Sequence, residues 1–389
     1  MQRIAILFLL VLIACTGTRE AGVPTLLVVA AGGTDGTLLL IEDTLSSFPE
    51  VRPENRFVLL TEQSLNGEAL AYDIVDLRGD RRELAVLVKE EDSYAVRFFN
   101  LAGIDPDDPV AFEETRFLGL DALYEEDILP VDVQVSESGR YVALLNNFAS
   151  AAVQNTVDVI DTRDTPRLLQ RFENSVTGSS LFLDQDEARG ERIYYLSEQT
   201  NTELHYITLP ELDDVDTNLV VPNSISTANR VRDIGKGREQ LIALQPSQFV
   251  PVTLGATPNV EQAVTTSVNS QKLVPNNSVL IEELLILTNS QLTVHRSVDD
   301  TSPQTGNLEA VDGSLEPVGG FAYFVKEDAP HLAVFDLQLY RGDASSSVES
   351  RLFVRNLFET EEEPDTVPLS SPVFISWVKA VPAVTLLER

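Results

Sequence analysis

Three histidines are the side chains in this sequence best suited to bind a transition metal. His205, His295 and His331 each lie in or beside the second strand of a predicted β-hairpin. Imidazole nitrogens are common zinc ligands, and three that converge would form a metal site. No two of them stand in a close pair with one or three residues between them, so we expect strand or loop histidines that do not meet. A converging metal site remains the alternative.

Carboxylate-rich loops are a second source of metal ligands. Residues 105–108, 184–186 and 213–216 offer oxygen atoms of the kind that Ca²⁺ prefers. None of these loops has the twelve-residue spacing, the central Gly and the final Glu of a helix-loop-helix calcium site. We therefore predict no cofactor and no metal-ligating residue, and leave a structural Ca²⁺ open.

The remaining motifs predict turns instead of catalysis. No Gly-x-Ser-x-Gly elbow occurs, and the glycines at 32–37 and 235–237 lack the strand, spacing and helix of a phosphate loop. Arg78-Gly79-Asp80 and Arg341-Gly342-Asp343 spell an adhesion tripeptide, yet Gly-Asp pairs are frequent turn formers. The sequence thus predicts no catalytic residue and favours a protein that is not an enzyme, while it leaves the question open.

Cys15, the single cysteine, follows directly behind an apolar segment. Residues 4–14 are all hydrophobic and come after Arg3, which is typical of a signal peptide and too short for a permanent membrane span. With one Cys the chain cannot form an internal disulfide. A buried or free Cys beside an ordinary signal peptide is the alternative to a modified one.

The segment Leu12-Ile13-Ala14-Cys15 resembles the lipobox of bacterial lipoproteins. The resemblance implies that residues 1–14 are removed and that the Cys15 sulfur is acylated at the new N-terminus. Residues 15–23 then form the lipidated cysteine and a short flexible tether. The protein is expected outside the cytoplasm, anchored on the periplasmic side or at the cell surface, and the leaflet stays open because Thr16 is not the usual retention aspartate.

The charge excludes one class of partner. The formal net charge of −33 repels nucleic acid and anionic lipid head groups, so direct nucleic-acid binding is disfavoured. The hydrophobic content of 43% is that of a globular protein and not of a disordered acidic tail.

Short apolar runs separated by turn clusters predict an all-β domain over residues 24–389. Residues 113–127 are the best helical candidate. The runs fall into seven hairpins, which are 26–30 with 38–41, 84–88 with 94–99, 141–145 with 157–160, 193–196 with 204–209, 240–244 with 249–254, 284–287 with 292–295, and 321–325 with 332–337. Their spacing of about 37 to 58 residues brackets the ~40–50-residue blade of a propeller.

The clearest repeat unit spans residues 131–172. Its turn, Ser136-Glu137-Ser138-Gly139-Arg140, and its strand over 156–162, TVDVIDT, resemble a blade of the YVTN and cytochrome-d1-like (lactonase-like) β-propeller families. Gly139 can take the positive φ that closes a tight hairpin, and the Asp161 and Thr162 oxygens can bond the backbone where the strand ends. The resemblance implies a seven-bladed β-propeller.

The two ends of the chain are predicted to close the ring. Residues 373–378 form a lone strand after the seventh hairpin, and the first unit lacks an early strand before Pro24. Pairing of the N- and C-terminal strands would remove sheet edges that otherwise aggregate. A stack of two β-sandwiches is the alternative fold.

These observations predict a lipid-anchored extracytoplasmic propeller that acts as a protein-interaction or scaffold module of the cell envelope, with an envelope protein as partner. Two alternatives stay open. One is a metal-dependent periplasmic hydrolase of the lactonase kind, which the resemblance and the many carboxylates support. The other is a structural component of a surface layer.

Overall fold

The secondary structure is almost entirely β. The computed structural model describes residues 26–32, 36–43, 57–77, 81–101, 113–124, 128–147, 155–173, 181–184, 190–196, 203–209, 223–236, 240–255, 257–266, 270, 272–274, 284–287, 291–295, 303–307, 321–328, 334–342, 352–356, 365–367 and 375–382. Over these ranges there is no α-helix, and a 3₁₀ turn lies at Asp121–Leu123. None of these residues belongs to a helix that could span a bilayer.

Twenty-nine strands are assigned within the described residues. The first fifteen are β1 (Leu26–Gly32), β2 (Thr37–Asp43), β3 (Phe57–Ser64), β4 (Glu68–Leu77), β5 (Arg81–Lys89), β6 (Tyr94–Asn100), β7 (Glu114–Gly119), β8 (Pro130–Val135), β9 (Tyr141–Asn146), β10 (Thr156–Asp161), β11 (Arg167–Glu173), β12 (Phe182–Asp184), β13 (Arg192–Leu196), β14 (Glu203–Thr208) and β15 (Asn223–Ser226). The others are β16 (Asp233–Lys236), β17 (Gln240–Gln245), β18 (Gln248–Thr253), β19 (Asn259–Val260), β20 (Val264–Thr265), β21 (Lys272–Val274), β22 (Leu284–Leu287), β23 (Gln291–His295), β24 (Gln304–Asn307), β25 (Phe321–Asp328), β26 (Val334–Gly342), β27 (Leu352–Asn356), β28 (Asp365–Val367) and β29 (Ile375–Pro382).

These strands form seven antiparallel sheets in the part of the chain that is described. Sheet 1 has the order β29-β1-β2-β3, and sheets 2, 3 and 4 are β4 to β7, β8 to β11 and β12 to β15. Sheet 5 has five strands, β16 to β20, while sheets 6 and 7 are β21 to β24 and β25 to β28. Within each sheet, neighbours in space are mostly neighbours in sequence, as expected when short turns connect antiparallel strands.

All seven predicted hairpins are antiparallel strand pairs. They are β1 with β2, β5 with β6, β9 with β10, β13 with β14, β17 with β18, β22 with β23, and β25 with β26. In six sheets the predicted pair occupies the second and third positions of the sheet. In sheet 7 it occupies the first and second positions instead, because β27 and β28 follow it.

The best helical candidate, residues 113–127, is mostly a strand where it is described. Residues Glu114–Gly119 form β7, which pairs with β6, and the 3₁₀ turn at Asp121–Leu123 is the only helical part among the residues described there. Pairing with the buried strand β6 overrides the weak helical tendency of this segment.

The central strands of sheets 3 and 4 are buried on both sides. Every residue of β9, β10 and β13 is buried. In β10, Ile160 packs into the cluster shared with sheet 2, whereas Val157 and Val159 pack into the cluster shared with sheet 4. Because side chains alternate along a strand, each such sheet requires a neighbour on each face.

Apolar clusters fill five successive junctions between sheets. Leu38 of sheet 1 packs with Val86 of sheet 2, and further clusters join sheet 2 to 3, 3 to 4, 4 to 5 and 5 to 6. Burial of this apolar surface, at about 25 cal/mol per Å², is the main term that holds the sheets together.

The first strands of successive sheets lie side by side. Aspartates on three of them accept an amide hydrogen bond from the following sheet: Val135 N–H to Asp73 Oδ2 at 2.7 Å, Leu181 N–H to Asp132 Oδ2 at 2.9 Å, and Leu273 N–H to Asp233 Oδ2 at 2.8 Å. Because the acceptor is a carboxylate, such bonds are stronger than neutral ones, and they fix the height of one sheet relative to the next.

The last strand of the chain pairs with the first. β29 is antiparallel to β1, with Ala30 opposite Val378 and Leu26 opposite Pro382. β29 also lies beside β25 and beside β4, so it contacts the first strands of sheets 7 and 2.

Candidate interaction faces

The strand order gives the molecule two faces, which differ in the turns they carry. β1 begins at Leu26, next to Pro382 near the end of β29 and next to Asp43 at the end of β2. We call this the terminal face; it carries the turns from first to second and from third to fourth strands. The opposite face carries the turns from second to third strands and the connections between sheets.

On the terminal face, the turn at residues 136–140 is held by sheet 2. Gly139 has φ +69°, as the sequence predicted, and its carbonyl accepts a 2.7 Å hydrogen bond from Arg116 Nη1. The same nitrogen donates to Thr162 Oγ1 at 3.1 Å, while Arg116 Nη2 lies 2.6 Å from Glu83 Oε2. A single arginine therefore ties two turns of sheet 3 to sheet 2.

Sheet 4 forms hydrogen bonds with the same turn from the other side. Ser138 donates its backbone N–H to Glu191 Oε1 at 3.1 Å and its hydroxyl to Glu191 Oε2 at 3.3 Å. One residue further along, Arg192 Nη1 donates to the Gly255 carbonyl of sheet 5 at 2.8 Å. Polar contacts on the terminal face thus link sheets 2, 3, 4 and 5.

A buried carboxylate organises the strand ends beside this turn. Arg140 Nη2 and Asp161 Oδ2 are 3.1 Å apart, and each side chain is 3% exposed. Arg163 lies 3.2 Å from the same oxygen, and its backbone N–H donates to Asp161 Oδ1, as the sequence predicted for a strand-ending Asp. Thr162 Oγ1 donates to the Arg140 carbonyl at 2.9 Å, which closes this corner.

The opposite face contains a second buried acid. Asp158 on β10 is fully buried and accepts hydrogen bonds from Asn146 Nδ2 at 2.7 Å and Arg171 Nε at 3.1 Å. Burial raises the pKa of Asp158, while the hydrogen bonds and charge of Arg171 pull it back in part. Burial, and then the charge of Asp158, raise the pKa of Tyr124. Asp158, Asn146, Arg171 and Tyr124 thus form a buried polar cluster at the junction of sheets 2 and 3.

Amide side chains and backbone carbonyls order the loops of the opposite face. Gln245 Nε2 donates to the carbonyls of Thr227 and Asn229, each at 3.1 Å. Asn147 N–H donates to the Leu129 carbonyl at 2.8 Å, and Leu129 is 38% exposed. These bonds hold the loops in place while the Leu129 side chain stays partly exposed.

The two histidines that the structure describes, His205 and His295, lie in different sheets. His205 on β14 stacks on Tyr195 with ring centroids 5.5 Å apart, and its Nε2 lies 3.4 Å from Glu203 Oε2. Burial lowers the pKa of His205, and Glu203 offsets only part of that shift. His295 on β23, in another sheet, is fully buried with its ring edge-on to Phe249 at 5.3 Å. His331 lies outside the described residues.

The other predicted candidates fall mostly outside the described residues. Outside them lie Cys15, the loops 105–108 and 213–216, and the tripeptide at 78–80. Among the described residues, Asp184 is buried, and Arg341 and Gly342 lie in β26. Over the described ranges no three His, Cys, Asp or Glu side chains are grouped so as to hold a metal ion. Sequence reasoning missed Asp158 and Glu83 because their arginine partners, Arg171 and Arg116, lie on outer strands whose pairing the sequence did not predict.

Solved structures with a similar backbone are available for comparison. A functionally unknown protein from Desulfotomaculum acetoxidans DSM 771 is 8% identical, with a TM-score of 0.56 over 90% of this chain and 98% of its own. The dihydro-heme d1 dehydrogenase NirN, solved in complex with DHE, is 11% identical, with a TM-score of 0.50 over 94% of this chain and 76% of its own. Apo AztD from Citrobacter koseri is 9% identical, with a TM-score of 0.46 over 92% and 98% of the two chains.

NirN has a propeller of the cytochrome d1 type. The chain has a propeller-like fold. No family model and no curated protein matches the sequence. At identities of 8% and 11%, the likeness concerns the fold alone and carries no activity across.

Replacement of Arg171 tests the buried acid. In Arg171→Met the carboxylate of Asp158 loses a charged partner in a fully buried place, and we expect a loss of about 3–5 kcal/mol in the free energy of unfolding at pH 7. Without Arg171 the pKa of Asp158 rises further, so the folded state binds its proton more readily. The loss should therefore shrink as the pH falls, in denaturant titrations at pH 5 and 7.

Two variants control this measurement. Arg167→Met removes another arginine of β11, which is half-exposed and lies 3.9 Å from Asp161. We expect this change to cost less than about 1 kcal/mol in the free energy of unfolding. Adding Asp158→Asn to Arg171→Met should recover part of the stability, because no buried charge remains. Equal losses in the free energy of unfolding for the two arginine variants would contradict the role given to the Asp158 and Arg171 pair.

His205 should make the protein less stable in mild acid. Its pKa is lower in the folded than in the unfolded chain, so the unfolded state binds the proton first, and stability falls as the pH drops below about 6.5. Between pH 7.5 and 5.5, His205→Phe should show a shallower fall than the parent in urea titrations. Glu203→Gln removes the charge that raises the pKa of His205, so its fall should be steeper. Parallel curves for all three proteins would refute the assignment.

Proposed function

We propose that the seven sheets are the blades of one seven-bladed propeller, closed by the pairing of β1 with β29. The circle of first-strand contacts supports this arrangement: β4 lies beside β8, then β12, β16, β21, β25 and β29 follow in turn, and β29 lies beside β4. The five apolar clusters between successive sheets are consistent with radial stacking.

We further propose that this propeller is a lipoprotein on the extracytoplasmic side of a bacterial membrane. The observation that carries the proposal is the position of Cys15, the only cysteine, at the end of Leu12-Ile13-Ala14-Cys15 and directly behind an apolar run. Acylation supplies an apolar anchor, and residues 16–23 connect it to the domain.

The proposed activity is protein binding, as an interaction or scaffold module of the cell envelope. What favours this role is that several described charged groups hold strands and sheets together. Glu83, Arg116, Arg140 and Asp161 are engaged with one another or with backbone carbonyls, which makes a rigid platform for loops. The net charge of −33 indicates a partner with a basic contact surface.

Replacement of Cys15 tests the anchor. Metabolic labelling with a fatty acid and mass spectrometry of the N-terminus should show an acylated Cys15 and loss of residues 1–14 in the parent. Cys15→Ser should incorporate no label, whereas Thr16→Ser, one residue away, should behave as the parent. An unmodified thiol at Cys15, or cleavage elsewhere, would refute the anchor.

The binding role is tested separately, by crosslinking in membranes followed by purification from detergent extracts. We expect one envelope protein to be recovered in a stoichiometric amount with the parent. Recovery of no stoichiometric partner would contradict the scaffold function while leaving the anchor intact.

A further inference from the structure

We infer that the terminal face lies toward the membrane and that the opposite face points away from it, where a partner can reach it. The inference rests on the proposed acylation of Cys15, and it adds to that proposal which end of the domain the lipid holds. It follows from the direction of β1, from the length of chain before it and from the charge of the body.

The direction of β1 decides where the tether joins the domain. Leu26 begins β1 opposite Pro382 and Asp43, which are at or near the ends of β29 and β2. The opposite face carries the turn between β1 and β2, where Leu65 N–H donates to the Gly36 carbonyl at 2.6 Å. The tether therefore joins the domain on the terminal face, at the start of the second strand of sheet 1.

The tether is too short to favour the reverse orientation. Residues 16–25 separate Cys15 from β1, and ten residues span at most about 35 Å and on average roughly 17 Å when flexible. β1 has 7 residues, which gives sheet 1 a height of about 23 Å. To place the opposite face on the bilayer, the tether would have to run along that whole height, which exceeds its average span and takes about two-thirds of its maximum length.

Charge sets the distance between the terminal face and the lipid. A body of net charge −33 is repelled by anionic head groups, but this repulsion decays over about 8 Å at physiological ionic strength. The tether is long enough to hold the face outside that layer. The domain should thus stand off the surface, with the terminal face nearest to it.

Single cysteines on the two faces of one sheet report the orientation. Thr257 lies in the exposed turn between β18 and β19 on the terminal face, and Ser247 lies in the exposed turn between β17 and β18 on the opposite face. Thr165 and Asp92 form a second such pair, in sheets 3 and 2. Because β18 has 6 residues, the two labels on sheet 5 are about 20 Å apart along the sheet.

The experiment uses the full lipidated chain in phosphatidylcholine vesicles that contain acceptor-labelled lipid. Donor dyes at Thr257→Cys and Thr165→Cys should transfer energy more efficiently than donors at Ser247→Cys and Asp92→Cys, corresponding to a shift of up to about 20 Å in distance. Insertion of twenty Gly and Ser residues into the tether should reduce the difference, since a long flexible linker lets the domain turn over.

A missing lipid anchor and a reversed orientation give different results in this experiment. Chain that does not sediment with vesicles, or that carries no acyl group, would refute the anchor and the orientation together. Chain that is acylated and bound, but transfers equally from both faces or more strongly from Ser247 and Asp92, would overturn the orientation alone. Replacing a third of the lipid with phosphatidylglycerol at low salt should lower transfer from all four positions, because the acidic body is pushed outward.

Discussion

The fold depends on sheets that must be buried on both faces. β9, β10 and β13 expose no residue, and their alternate side chains enter different apolar clusters. A sheet of this kind cannot be stable alone or at the end of a stack, because one apolar face would then meet water. Such a sheet therefore requires a neighbour on each side, and the proposed closed ring would supply one to every sheet.

Polar groups fix what apolar burial leaves adjustable. Packing of apolar faces is not directional, so it does not by itself set how far one sheet slides along another. Carboxylates at Asp73, Asp132 and Asp233 accept backbone amides from the next sheet and set that register near the common axis. On the terminal face, Arg116 performs the same task further out. Many of the described charged side chains therefore stabilise the fold.

The sequence predicted the hairpins because their strands are apolar runs closed by local turns. Gly139 and the Asp161-Thr162 corner were predictable for the same reason, since a turn depends on residues adjacent in sequence. The outer strand β7 was not predicted, because its pairing with β6 is not visible in its own residues. The pairs of Glu83 with Arg116 and of Asp158 with Arg171 could not be predicted, because they depend on outer strands whose position and register the sequence does not show.

Disulfide trapping of the two chain ends tests the closed ring most directly. Val29 lies opposite Lys379, and Ala30 opposite Val378, so each pair can be replaced by two cysteines in a chain whose Cys15 is changed to Ser. Adjacent pairs in an antiparallel ladder alternate between two Cα spacings of about 4.5 and 5.5 Å, both within reach of a disulfide. The account predicts that at least one pair oxidises within the chain and raises its melting temperature. Thiols that stay free in both variants, or that link only separate chains, would contradict it.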